Sequence, residues 1–164
     1  FPYTTLFRSY NIEIKHDKSL DNVYNPTSEI FTNLVYMEVK RLGIAKRCNI
    51  QSFDPECLNI LYGIDRSIET ALLVSNTESF ATNLNKLIFI PNIYSPHYSL
   101  VDEKLLKECR KNKIKLIPWT VNDVYDIEHL IRLGVDGIIT DYPDKVIELN
   151  MSLNKNTGHA NSGK

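Results

Sequence analysis

The hydrophobic pattern of this chain switches repeatedly between the period of a strand and the period of a helix. It is clearest in residues 114–143, IKLIPWTVNDVYDIEHLIRLGVDGIITDYP. Residues 113–121 form an apolar, β-rich run; Asn122 and Asp123 are helix-start residues; Val124, Ile127, Leu130 and Ile131 recur at helical spacing; Gly134 stops the helix; and residues 135–140 are a second apolar run. This predicts strand, helix, strand. Buried strands joined in this way lie parallel through a right-handed crossover, so the stretch predicts a parallel sheet covered by helices. In such sheets chemistry gathers where strands end. Here those ends carry Trp119, Thr120 and Asn122 on one strand, and Thr140 and Asp141 on the next. They allow two readings, a polar site with an aromatic wall, or an Asn122 that caps its helix beside a Trp119 that fills the interior.

The same alternation extends upstream. In YNIEIK, residues 10–15, Ile12 and Ile14 alternate with Glu13 and Lys15. If the isoleucines face the helices, Glu13 and Lys15 face the barrel interior near the strand's end, placed to hold a divalent metal and a phosphate oxygen; an ordinary ion pair on an edge strand is the alternative. Thr27 or Ser28 caps a predicted helix with an apolar face of Phe31, Leu34, Val35 and Leu42, ending at Gly43. The next strand lies within 44–53 and ends near Gln51 and Ser52, and Asp54-Pro55-Glu56 starts another helix. Further strands are expected over 70–74 and 86–91, a brief helix over 79–84, a loop over 92–99 and a helix over 101–112 burying Leu105, Leu106 and Cys109. The final helix, 143–151, is expected to use Val146, Ile147 and Leu149 or Leu153. His97, in the predicted loop, reads as a surface or wall residue.

This gives about six strands in 164 residues, against the roughly 250 of a complete eight-stranded barrel. Residues 1–9, FPYTTLFRS, do not continue into the pattern. They resemble translated sequencing-adapter DNA and are expected to be a non-native leader. The barrel is expected over 10–151 and a disordered tail over 152–164. Lys and Arg (19) nearly balance Asp and Glu (20), so charge supports no nucleic-acid or anionic-membrane partner. No apolar run approaches a membrane span. Cys48, Cys57 and Cys109 form no CxxC pair and sit beside apolar positions, which points to buried inert thiols and leaves the compartment open.

NIEIK, IQSFDPECL, SPHYSLVDEKLLKECRKNKIKLIPWTVND and GVDGIITDYPD, in this order and spacing, resemble the C-terminal two-thirds of glycerophosphodiester phosphodiesterases. The resemblance implies an α/β fold: an incomplete (β/α)8 TIM barrel of the phosphatidylinositol-phospholipase-like phosphodiesterase superfamily. It also implies a hydrolase that converts a small-molecule glycerophosphodiester to glycerol 3-phosphate and an alcohol with a divalent cation, Ca or Mg. By motif, Glu13 matches the metal-binding carboxylate, Lys15 the catalytic lysine that contacts phosphate, Ser52 and Phe53 a pocket-lining pair, and Trp119 the aromatic residue beside the substrate glycerol.

The chain also departs from the family. The acid and base are expected to be two histidines, in an HRG motif and an HD motif, accompanied by a Glu and an Asp at the metal. None of these motifs occurs, and His16, His97, His129 and His159 match none of them. The chain by itself is therefore expected to be inactive. Two alternatives remain: a non-catalytic, phosphate-ester-binding barrel remnant, and another phosphodiesterase or phospholipase of the same superfamily.

Overall fold

Tyr10–Glu13 (β1), Cys48–Ser52 (β2), Glu69–Val74 (β3), Ile93–Pro96 (β4) and Lys115–Leu116 (β5) form one sheet, ordered β1-β2-β3-β4-β5 and parallel at every pairing. They are seen in a computed structural model that describes the backbone of residues 9–158 and the side chains as far as Leu153. Parallel neighbours require crossovers. Ser28–Arg41 (α1), Pro55–Ile64 (α2), Phe80–Leu84 (α3) and Glu103–Lys111 (α4) supply them, followed by Val124–Leu133 (α5) and Pro143–Gly158 (α6). Strand order thus follows chain order, as in a barrel wall.

The helix starts follow local chemistry. Asp54 caps α2 by accepting from Glu56 N, and Pro55 occupies the first turn, where no amide donor is needed. Asp102 caps α4 through Leu105 N at 2.7 Å. At α5 the cap is Asp123, accepting from Tyr125 N at 2.8 Å, and not Asn122. Gly134 ends α5 at φ 88°, in the left-handed region that favours glycine.

The core lies between sheet and helices. Ile14, Ile50, Cys57 and Leu61 are almost wholly buried under α1 and α2, and Leu58, Leu72, Cys109 and Leu116 fill the layer beneath α4. All three thiols are free and buried, as their apolar neighbours suggest. Burial pushes Cys57 up to about 11 and Cys109 up to about 12. A folded-state value raised above the unfolded one means that the unfolded chain loses these protons first. Stability is therefore complete below about pH 8.5 and falls as pH rises towards the folded values. Urea denaturation at pH 8 and pH 10.5 should show a loss on the order of 1 kcal/mol or more, reduced by Cys109→Ala.

Several expected elements are displaced. The strand expected over 86–91 is a turn with Ile88 and Ile90 exposed. The strand is instead β4, inside the predicted loop, with all its residues buried. Tyr-Ser-Pro reads as loop, yet the Ser95 hydroxyl is satisfied there by donating to Ile117 O at 2.6 Å. The sixth strand, over 135–140, is not regular, so among the described residues the sheet has five strands. Its segment still pairs with the preceding one through Val121 N to Ile139 O and Ile139 N to Pro118 O, both 2.9 Å. Pro118 lacks a donor and interrupts the ladder.

On α1, Phe31 and Val35 pack inward as expected beside the buried Thr32 and Val39, while Leu34 and Leu42, expected on the same face, are exposed. Helix α6 packs Val146 and Leu149 against Val121, Ile127 and Leu130, and leaves Ile147 exposed. It continues to Gly158, so the boundary expected after 151 falls inside a helix. Residues 1–8 and 159–164, most of the expected leader and the end of the expected tail, lie outside the described residues.

Candidate functional site

The residues singled out by sequence sit at the C-terminal ends of the strands, on one rim of the sheet. Alternation along β1 turns Ile12 and Ile14 to the helices, where Ile14 is 1% exposed. Glu13 and Lys15 take the opposite face. The Lys15 ammonium lies 3.1 Å from Glu13 Oε2, with side-chain exposures of 79% and 21%. A pair this open is worth about 0–1 kcal/mol, so the lysine can leave the carboxylate at little cost.

Ser52 and Phe53 part company at the end of β2. Ser52 is fully buried; its hydroxyl donates to Ile14 O at 2.8 Å and accepts from Asp54 N at 3.1 Å. It ties the ends of β1 and β2 together. Phe53 is exposed and meets Trp119 edge to face, with ring centroids 5.2 Å apart. The Trp119 indole N–H donates to Ser95 O at 2.8 Å, which fixes the ring over the neighbouring strand.

His97 joins this wall. It pairs in parallel register with Trp119, and the two rings meet edge to face at 5.3 Å. Ser99 N donates to His97 Nδ1 at 3.4 Å, and the Ser99 hydroxyl lies 2.8 Å from the same nitrogen. Sequence reasoning placed His97 in a loop; the signal missed was its position directly after a strand, on the same face as Ser95. The rim thus carries the Lys15–Glu13 pair and an aromatic wall of Phe53, Trp119 and His97.

Asn122 neither caps α5 nor adds a free amide. It donates to Asp141 Oδ2 at 2.7 Å and accepts from Asp141 N at 3.0 Å and Thr140 Oγ1 at 3.1 Å, joining two strand ends. His16 lies off the rim, its side chain 1% exposed between Asp21 and Asp54.

Comparison with known proteins gives this geometry a context. The model of the glycerophosphoryl diester phosphodiesterase family matches residues 7–145. A glycerophosphodiester phosphodiesterase of Caldanaerobacter subterraneus is 48% identical over 54 residues, covering 33% of this chain and 22% of that protein. The crystal structure of a glycerophosphodiester phosphodiesterase from Parabacteroides distasonis superposes with a TM-score of 0.74 at 26% identity, over 89% of this chain and 58% of that one. An Oleispira antarctica phosphodiesterase, solved with its product sn-glycerol-3-phosphate, superposes with a TM-score of 0.69 at 20% identity, over 86% of this chain and 54% of that one. The chain thus spans less than two thirds of the length of each of these relatives. Its five parallel strands are part of the same TIM-barrel architecture, and the chain belongs to the glycerophosphoryl diester phosphodiesterase family.

Proposed function

We propose that residues 9–158 form the phosphate- and glycerol-binding side of a site that hydrolyses glycerophosphodiesters to glycerol 3-phosphate and an alcohol. One observation carries this reading: a loosely paired lysine, Lys15, shares a rim with the Phe53–Trp119 wall. A phosphodiester offers an anionic centre for the ammonium and a short polyol backbone whose C–H faces pack on indole. As the ester is attacked, charge grows on the non-bridging oxygens, so Lys15 stabilises the transition state more than the ground state. Trp119 and Phe53 hold the glycerol in place. Ser52 serves by positioning, since its bond to Ile14 O sets the backbone from which Lys15 projects.

A hard cation does not fit the described residues. Ca takes six to eight oxygen ligands, whereas Glu13 offers one carboxylate, already paired with Lys15. Among the described residues the one group of three or more His, Cys, Asp or Glu close enough to share an ion does not include Glu13. Of the described histidines, His16 is enclosed by Asp21 and Asp54, His97 lies against Trp119, and His129 is exposed on α5. On this reading residues 9–158 bind the ester, and the acid and base come from elsewhere. Glu13 becomes a ligand for Ca or Mg only beside further carboxylates.

Trp119 is the single tryptophan, which makes its fluorescence a report on the rim. Titration with glycerol 3-phosphate should change the emission saturably, while glycerol or inorganic phosphate alone should bind more weakly. No change on addition of glycerol 3-phosphate, with binding absent by calorimetry as well, would remove the proposal.

A further inference from the structure

We propose that His16, Asp54 and Cys57, with Thr32 near Cys57, form a metal site for a borderline divalent cation of the zinc type. It is built at the start of α2, where Asp54 is the cap and Cys57 lies in the first turn, with His16 reaching it from the residue after Lys15 and Thr32 standing on α1.

His16 is held between two carboxylates. Its Nδ1 is 2.6 Å from Asp54 Oδ2 and its Nε2 is 2.7 Å from Asp21 Oδ1. An ionised carboxylate only accepts. A ring nitrogen donating to Asp21 leaves the other with a lone pair aimed at Asp54. An oxygen and a lone pair that close repel each other unless a cation, a proton or a metal, lies between them. The Asp21 contact is the outer-shell arrangement of metal-bound imidazoles, in which the far N–H is held by a carboxylate and the near nitrogen is presented to the ion.

The rest of the pocket supplies ligands. Asp54 divides its oxygens, Oδ1 accepting from Glu56 N at 2.9 Å as the helix cap and Oδ2 facing the cluster. Cys57 Sγ, on a fully buried residue, lies 3.6 Å from the same Oδ2. The three ligand atoms lie within 4.8 Å of one another. A tetrahedral zinc ion sets its ligands about 3.3–3.8 Å apart, so the 2.6 Å His16–Asp54 pair opens by about 1 Å to admit the ion while the widest pair draws in, both by side-chain rotation.

Thr32 is a separate observation. It is 0% exposed, its hydroxyl has no hydrogen-bond partner among the described residues, and it sits near enough to Cys57 to draw the thiol's pKa down against the burial that raises it. A buried hydroxyl with no firm partner near the Cys57 thiol suits a fourth ligand through a water. Nitrogen, oxygen and sulfur together select zinc or cobalt over calcium or magnesium. On binding, the Cys57 S–H bond breaks, a metal–sulfur bond forms, and the proton leaves to solvent with any proton held between His16 and Asp54. No electron is transferred. Cys57 then departs from the inert role that its apolar neighbours suggest.

The test is titration of the whole, fully reduced chain with Co2+, followed by absorption. One equivalent should bring up a thiolate-to-cobalt charge-transfer band and the strong visible bands of tetrahedral cobalt. Zn2+ should bleach both, and millimolar Ca2+ or Mg2+ should not. Cys57→Ser, checked for fold by circular dichroism, should lose the charge-transfer band, and Asp21→Asn should weaken Co2+ about tenfold. Cys48→Ser and Cys109→Ser should leave the spectrum unchanged. A chain that gives no such bands, or gives the same bands without Cys57, overturns the proposal; the cation between His16 and Asp54 is then a proton, and the cluster a hydrogen-bonded clasp.

Discussion

Lys15→Met should weaken binding of glycerol 3-phosphate to this chain about 10- to 100-fold, because a hydrogen bond from a charged donor to phosphate contributes about 1.5–3 kcal/mol. In a polypeptide that completes the barrel, the same change should lower kcat/KM by about 10²–10³, the usual scale for losing a preorganised charge at a developing oxyanion. Glu13→Gln separates two roles for the neighbouring carboxylate. In the chain alone it frees Lys15 from its 3.1 Å partner and should leave phosphate binding equal or tighter. In a completed barrel it should reduce turnover and raise the requirement for divalent cation. A Lys15→Met chain that binds as tightly as the parent would show that phosphate contacts another group. Trp119 fluorescence measures the binding arm, and release of glycerol 3-phosphate measures the turnover arm.

Leu116→Ala should produce the largest loss of stability. Leu116 is 0% exposed, stands in β5 in register with Tyr94, and packs among Leu58, Leu72, Leu106 and Cys109. Its backbone is clasped by Asp136, whose Oδ2 accepts from Leu116 N at 2.8 Å and whose own N donates to Leu116 O at 3.0 Å. The surroundings cannot close over the missing atoms, so truncation should cost about 2–5 kcal/mol. Against a total of roughly 5–15 kcal/mol for an ordinary domain, that is a large fraction. Among the described residues β1 is hydrogen-bonded only to β2, and on α1 Ile30, Leu34 and Met37 are exposed at 51%, 55% and 66%. The control is Leu34→Ala, which should shift the urea midpoint by less than about 0.5 kcal/mol equivalent. Equal shifts for the two variants would mean that Leu116 is not in a packed core.

The local sequence determined much of this protein. Asp54-Pro55, Asp102 and Gly134 start or stop helices through atoms within a few residues, so their positions could be read directly. The alternation of Ile12, Glu13, Ile14 and Lys15 foretold which side chains would share a face, because the strand period is set by the backbone. Long-range pairing decided the rest. The 86–91 segment has a better strand composition than Ile93–Pro96, yet β4 takes the place in the sheet because its register with β3 buries Tyr94 and lets Ser95 reach Ile117 O. Pro118 breaks the ladder next to 135–140, which composition alone marks as strand. Ser52 and Phe53 are neighbours in sequence, but the pleat sends one to a backbone clasp and the other to the aromatic wall. His16 and Asp54 are 38 residues apart; with Cys57 they meet because β1, β2 and the helix that follows β2 pack in chain order. Periodicity assigns faces and ends, and only the tertiary fold decides which polar atoms on those faces satisfy one another.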